Sequence, residues 1–365
     1  MTRRKYDKIF FAAFLLLILG GFLIFSSSAM GLLSRDGASF YKILIKQFVA
    51  GFLLGGGTLF AAYKIDYRNW KKFAVFIFIF SFLLSLLVFV PELGFKHGGA
   101  KRWIDLGFTS FQPSEFLKLG FVVYLSSWLS SHKREVGSFR SGLIPFFLMI
   151  GAIGLLLIAE PDIGTFLVII LSSVSIFYIA GAGIKQILIF SVAGLVSFVA
   201  LIFMKPYLMN RVMVFLKLSN DVQGIGYQLK QSFIAIGSGG LYGRGFGMSI
   251  QKFKYLPEPI GDSIFSVAAE EFGFIGSVVL IGAFLFFLYR GFLIASRAPD
   301  LFGRLLASGI AVLIVGQSLV NIGAMAGVLP LSGMPLIFVS QGSSAFIFAM
   351  IEVGILLNIS KHSSR

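Results

Sequence analysis

Ten stretches of mainly apolar residues, each about as long as the roughly 20 residues a helix needs to cross a bilayer, punctuate this chain and constrain its fold more than any motif. They run over residues 9–27, 43–63, 71–91, 114–131, 143–160, 164–183, 186–205, 263–290, 304–327 and 337–358. Of the 365 residues, 57% are hydrophobic and 13% charged, with 43 phenylalanines. Soluble domains carry about 25% charged residues, so this chain lacks the polar surface it would need in water. A large soluble enzyme, a disordered chain and a disulfide scaffold are all excluded. The expected fold is an all-α polytopic membrane protein, one domain over 1–365, with about ten transmembrane helices. The first run, Phe10 to Phe25, is longer than a signal-peptide core of about 7–15 residues and no small-residue cleavage site follows it, so it reads as a retained helix.

Ten spans place both termini on one side. That side collects Arg3, Arg4, Lys5, Lys64, Arg68, Lys71, Lys133, Arg134, Arg297, Lys361 and Arg365, and the positive-inside rule makes it the cytoplasm. The formal net charge of +15 therefore has a topological origin, and no nucleic acid is needed to account for it. One long extracytoplasmic loop, 206–262, remains. Residues 205–262 carry Lys205, Arg211, Lys217, Lys230, Arg244, Lys252 and Lys254 against Asp221, Glu258 and Asp262. An anionic ligand at the outer face explains this excess; contact with outer-leaflet headgroups is the alternative. Within the loop, Gly226 to Ile236 spaces its apolar residues as a helix does.

The absence of cysteine removes thiolate chemistry, and His97, His132 and His362 are too scattered for a metal-ligand pattern. The chemistry must come from carboxylates, cations and backbone. Six of the eleven residues in Gly237–Gly247 are glycine. They can form an anion-binding nest beside Arg244 or a flexible turn. Asp262 follows Pro257, Pro259 and Gly261 at the start of the eighth span, where it either caps the helix or serves as a general base. Glu270 and Glu271 follow two turns on, where buried acids must be paired or functional. Glu115 and Lys118, three residues apart, form an ion pair within the bundle or line a polar cavity. Arg102 and Trp103 suit the interface. Asp162 again opens a helix, as a cap or as part of an acid pair with Glu160.

Together, Arg102–Gly107 with Gln112–Leu119, Pro161–Thr165, Gly226–Gly247, Tyr255–Gly276 and Val320–Ser344 resemble the SEDS family (shape, elongation, division and sporulation proteins), and its FtsW branch more than its RodA branch. The resemblance implies a peptidoglycan glycosyltransferase of the bacterial cytoplasmic membrane that polymerises lipid II at the outer face. It acts there with a class B penicillin-binding protein and other divisome or elongasome membrane proteins. It also implies that Asp262 is the essential acid, and that Arg102, Trp103, Glu115, Lys118, Asp162, Arg244 and Lys254 bind substrate. No cofactor is required, and a divalent cation, magnesium or manganese, is an optional addition. The rival functions are a lipid II flippase, which needs polar residues through the full membrane depth, and a non-catalytic division scaffold.

Overall fold

The computed structural model describes residues 6–33, 37–91, 93–97, 100–105, 110–216 and 224–363. Arg3, Arg4, Lys5, Leu106, Gly107, Lys217, Asp221 and Arg365, which entered the reading above, lie outside the described residues.

Helices stand at all ten apolar runs. They are α1 (Lys8–Ala29), α2 (Gly37–Gln47) continued through a π-helical turn into α3 (Gly55–Lys64), the short α4 (Tyr67–Lys72), α5 (Ala74–Leu86), α6 (Pro113–Ser131), α7 (Ile144–Ala159), α8 (Ile163–Ile179) and α9 (Ile184–Met204). After two helices of the long loop, α10 (Pro206–Phe215) and α11 (Ile225–Ser238), come α12 (Ile264–Ser296), α13 (Leu301–Met325) and α14 (Ser343–His362). Seven of the described helices are long and apolar enough to cross a membrane. The segments Ala74–Phe89 and Ile163–Ile179 are apolar but shorter, and α6 is continuous but carries Glu115 and Lys118 near its start. The helix expected over Gly226–Ile236 is α11. The last span differs, because residues 326–342 are irregular and helix resumes only at Ser343.

The sequence reading did not foresee a small antiparallel sheet of β1 (Gly94–His97), β2 (Ala100–Asp105) and β3 (Ser110–Phe111), ordered β1-β2-β3. It pairs Phe95 with Trp103 and Ile104 with Phe111, and it carries Arg102 to the start of α8.

Helix α13 is the axis of the bundle and packs against α6, α8, α12 and α14. At Gly309 a side chain would overlap Ile176 and Val122, so this glycine sets how closely α13 meets α8 and α6. At the other extreme, α9 is almost wholly exposed, which in a membrane protein means covered by lipid.

Helix α12 breaks its geometry once, at Gly273, where φ is 67° and ψ −164°. The glycine-rich segment 239–247 fits against this kink. Phe274 N–H donates to Gly240 O at 2.9 Å and Ile275 N–H to Leu241 O at 3.1 Å, while a Cβ at Gly273 would overlap the backbone of Gly243. Gly273→Ala therefore combines a left-handed backbone with a backbone collision. It is expected to lower stability by about 1–3 kcal/mol. Gly20→Ala, which adds its methyl into open space within α1, is expected to be neutral or slightly stabilising. Thermal unfolding of both purified variants in detergent checks the pair.

Candidate functional site

Ends of α6, α8, α11, α12 and α13 converge with the loops 255–263 and 329–342, and most of the residues singled out from the sequence gather there. Pro257, Pro259 and Gly261 keep the chain irregular until Ile264, so Asp262 precedes α12 without capping it: the cap position is Ser263. The capping alternative for Asp262 is thus not what the structure holds. Its Oδ1 accepts from Gln228 Nε2 at 3.2 Å, and among the described residues no donor reaches Oδ2. Gln228 also donates to Ser263 Oγ at 2.9 Å.

The backbone around this acid is tied down by side chains. Asn321 Nδ2 donates to Asp262 O at 2.7 Å and to Met334 O at 2.6 Å. Ser340 Oγ donates to Gly261 O at 2.6 Å, and Gln341 N–H to Ile260 O at 2.8 Å. The carboxyl itself is half-buried. Desolvation pushes its pKa up to about 6, against the hydrogen bond from Gln228 and with help from the nearby charge of Glu258. Such a group is ionised at neutral pH, yet holds a transferred proton better than an ordinary carboxylate.

Asp162 behaves differently. It caps α8, its Oδ1 accepting from Thr165 N–H at 3.3 Å. Its Oδ2 takes Thr165 Oγ1 at 2.9 Å, Ser114 Oγ at 3.1 Å and Gln112 Nε2 at 3.3 Å. Arg102 Nη1 stands 3.8 Å from Oδ1, while its Nε donates to Glu160 O at 3.2 Å and its Nη2 to Pro161 O. Arg102 thereby fastens β2 to the turn before α8. Trp103 lies beside it, half-buried.

Glu115 and Lys118 form the ion pair allowed by their spacing, at 2.9 Å and buried between helices. Lys118 also donates to Gln317 Oε1, and Gln317 Nε2 reaches Pro335 O at 3.2 Å. Gln317 and Asn321, one turn apart on α13, thus hold the consecutive carbonyls of Pro335 and Met334.

Arg244 belongs to a separate cluster. Its Nε lies 3.5 Å from Glu270 Oε1, and the N–H groups of Arg244 and Gly245 each donate at 3.0 Å to Glu270 O and Glu271 O. The glycine-rich segment therefore commits these amides to α12 and does not aim them at an anion, which corrects the nest expected from its composition. Beside it, buried Lys252 donates to Glu271 Oε1 at 2.7 Å and to Ser27 Oγ at 3.0 Å. The buried acids expected at 270 and 271 are paired. Lys254 is exposed.

Three residues that carry the site were not singled out from the sequence. Gln317 sits in an apolar span with no local signal. Glu352 of α14 is buried with Lys118 and Glu115 as charged neighbours. Arg211 of α10 donates to Leu331 O at 2.7 Å and has Asp162 and Asp262 as charged neighbours; its one signal was membership of the loop's cation excess. Among the described residues no group of three or more Asp, Glu or His is placed to hold a metal. Asp162, the acid nearest in kind to a ligand, already has its oxygens occupied.

Removing Arg102 leaves the carbonyls of Glu160 and Pro161 without their donor and the Asp162 carboxylate without its cationic neighbour. Arg102→Ala is expected to lower stability by about 2–4 kcal/mol. Arg102→Lys should fall nearly as far, because an ammonium cannot fork across both carbonyls. Unfolding temperatures of the two variants measure this.

Comparison with known proteins adds an independent finding. The profile of the FtsW/RodA/SpoVE cell cycle protein family matches residues 7–365. Stage V sporulation protein E of Bacillus subtilis is 36% identical over 349 residues, covering 96% of this chain and 95% of that protein. A probable peptidoglycan glycosyltransferase FtsW of Geobacter sp. (strain M18) is 38% identical over 358 residues, covering 97% and 96%. Among solved structures, a chain of a peptidoglycan synthase complex that coordinates polymerization and crosslinking superposes with TM-score 0.75 at 28% identity, covering 97% of each chain. The rod shape determining protein RodA of Thermus thermophilus superposes with TM-score 0.68 at 27% identity, covering 99% of this chain and 98% of that one.

Proposed function

This chain belongs to the FtsW/RodA/SpoVE family of cell cycle proteins, and from that premise we propose that it is a peptidoglycan glycosyltransferase that polymerises lipid II at the outer face of the bacterial cytoplasmic membrane, with Asp262 as general base. We further assign it ten membrane spans with both termini in the cytoplasm, a class B penicillin-binding protein as partner, and cell division as its setting. The observation that carries the reading is the state of Asp262. Its backbone is fixed by Asn321, its carboxylate does not cap α12, and one of its oxygens has no donor among the described residues.

In the proposed reaction Asp262 takes the proton of the acceptor's GlcNAc 4-hydroxyl as that oxygen attacks C1 of the donor MurNAc. The bond from C1 to the pyrophosphate oxygen breaks, its electrons leave with the undecaprenyl pyrophosphate, and the anomeric centre inverts. An inverting transfer needs a base and no covalent intermediate. Pyrophosphate is already a competent leaving group and calls for cations more than for an acid. No step is routed through a metal ion; magnesium or manganese would arrive with the substrate's pyrophosphate.

Asp262→Asn, purified with its cognate penicillin-binding protein and given labelled lipid II, should lose ~10²–10⁴-fold in polymer formation on a gel. Full activity in the folded variant would remove Asp262 from the role, and no polymer from either protein beside a working control would favour transport or scaffolding. Because the base must be ionised, kcat/KM of the wild type should rise with pH through about 6 and level off above it.

The same group fixes a stability trend. Its folded pKa lies above the ordinary 3.8, so the folded state holds the proton more tightly than the unfolded chain. The associated stability is present below the unfolded pKa and is lost as pH rises through about 6. Asp262→Asn removes an ion that is costly to keep in place. At pH 7.5 it should be more stable than wild type by on the order of 1–3 kcal/mol, and the difference should vanish near pH 4. Thermal unfolding at the two pH values decides this.

A further inference from the structure

Tyr207 and Arg211 stand one turn apart on α10 and so share a face. That face looks toward the acids of the site: Arg211 and Tyr207 both have Arg102 and Asp162 as charged neighbours, and Arg211 has Asp262 as well. The Tyr207 hydroxyl is buried and has no hydrogen-bond partner among the described residues, which is costly unless a ligand supplies one. Arg211 is anchored through Nη1 to Leu331 O at 2.7 Å. No other described residue takes the remaining N–H groups of its five-donor fork. Leu331 precedes Gly333, where a Cβ would lie 3.9 Å from Asp262 Oδ2, so this anchor holds the guanidinium on the Asp262 side.

Two guanidinium groups thus lie within electrostatic reach of one another beside Asp162. Burial and the charge of Arg102 lower the proton affinity of Arg211 by more than Asp162 and Asp262 restore it. Asp162 is shared with Arg102 and already accepts four hydrogen bonds from its own neighbours. A multi-oxygen anion would relieve the repulsion, accept from the free fork and take the tyrosine hydroxyl.

We propose that Tyr207, Arg211 and Arg102 form a diphosphate-binding site beside Asp262, which receives the pyrophosphate of the glycosyl donor. The inference rests on the glycosyltransferase reading given above and deepens it. Placed there, the site holds the donor's leaving group while Asp262 prepares the acceptor, and it meets the charge that develops as the C1–oxygen bond breaks. It also assigns to α10 the role that the composition of the glycine-rich segment suggested for residues 237–247.

The test uses the full-length chain in neutral detergent with inorganic pyrophosphate as probe, and with orthophosphate and sulfate at matched ionic strength. Wild type should gain thermal stability with pyrophosphate more than with either single-centre anion. Arg211→Ala should bind pyrophosphate ~10–100-fold more weakly, with Arg211→Lys between. Tyr207→Phe removes a buried hydroxyl that lacks a partner among the described residues, so it should unfold no lower than wild type and still bind several-fold more weakly. Equal stabilisation of wild type and Arg211→Ala overturns the proposal, as does an effect that sulfate reproduces. A companion arm in nanodiscs of zwitterionic or anionic phospholipid separates diphosphate from phospholipid headgroups. Inhibition of pyrophosphate binding by anionic lipid alone would assign the site to headgroups and overturn its link to the donor. In the polymerisation assay Arg211→Ala should raise KM for lipid II and, because the Arg211 charge helps keep Asp262 ionised, move the rising limb to higher pH. Failure of Asp262→Asn to impair polymerisation would sink the base assignment and not this site. An unchanged KM in Arg211→Ala would sink this site and not the base.

Discussion

A carbonyl held away from water without a donor costs on the order of a few kcal/mol, and the irregular outer-face segments between these helices present many. The chain answers with side chains where it cannot answer with helix. Arg102 covers Glu160 and Pro161, Arg211 covers Leu331, Gln317 covers Pro335, Asn321 covers Asp262 and Met334, and Ser340 covers Gly261. Non-helical backbone persists at such sites only where protein satisfies it. These long-range bonds are therefore the condition for having a shaped site at all, and they explain why its loops are set by residues from β2, α10, α13 and the segment before α14.

The same arrangement gives the two aspartates opposite characters. Asp162 is saturated by donors and tied to Arg102, which makes it a fastening. Asp262 is fixed through its backbone, and this leaves its carboxylate underused and partly desolvated. A rigid main chain under a free carboxylate is what the proposed base needs, because geometry is then maintained without occupying the oxygens that would react. The cost falls on stability near neutral pH, as expected of a group placed for reaction.

Much of this was legible in the sequence for a physical reason: bilayer thickness writes itself into apolar run length, so each expected stretch holds helix over most of its length. The position of Asp262 was legible as well, since two prolines and a glycine keep helix from starting before it. What escaped depends on distant partners. Arg211 and Leu331 are 120 residues apart, Lys118 and Gln317 199, and Lys252 and Ser27 225, so no window of sequence holds both members. The glycine-rich segment shows the limit most clearly. Composition fits an anion nest and a close-packed loop equally well, and only the kink of α12 beneath it selects the second. The small sheet carrying Arg102 escaped because its strands are short and interrupted by glycine and charge.

Gly273 divides α12 between two surroundings. From Ile264 to Glu271 the helix is buried in protein, whereas Phe274, Ile275, Val278 and Val279 are exposed and face acyl chains. About ten residues at 1.5 Å each put ~15 Å of helix between that boundary and Asp262. On the proposed function, the reaction takes place on a pedestal of protein set back from the lipid-facing part of α12. A hydrophilic strand lengthening there never has to be drawn back through oil, so the length of the product is decoupled from the thickness of the membrane that anchors its maker.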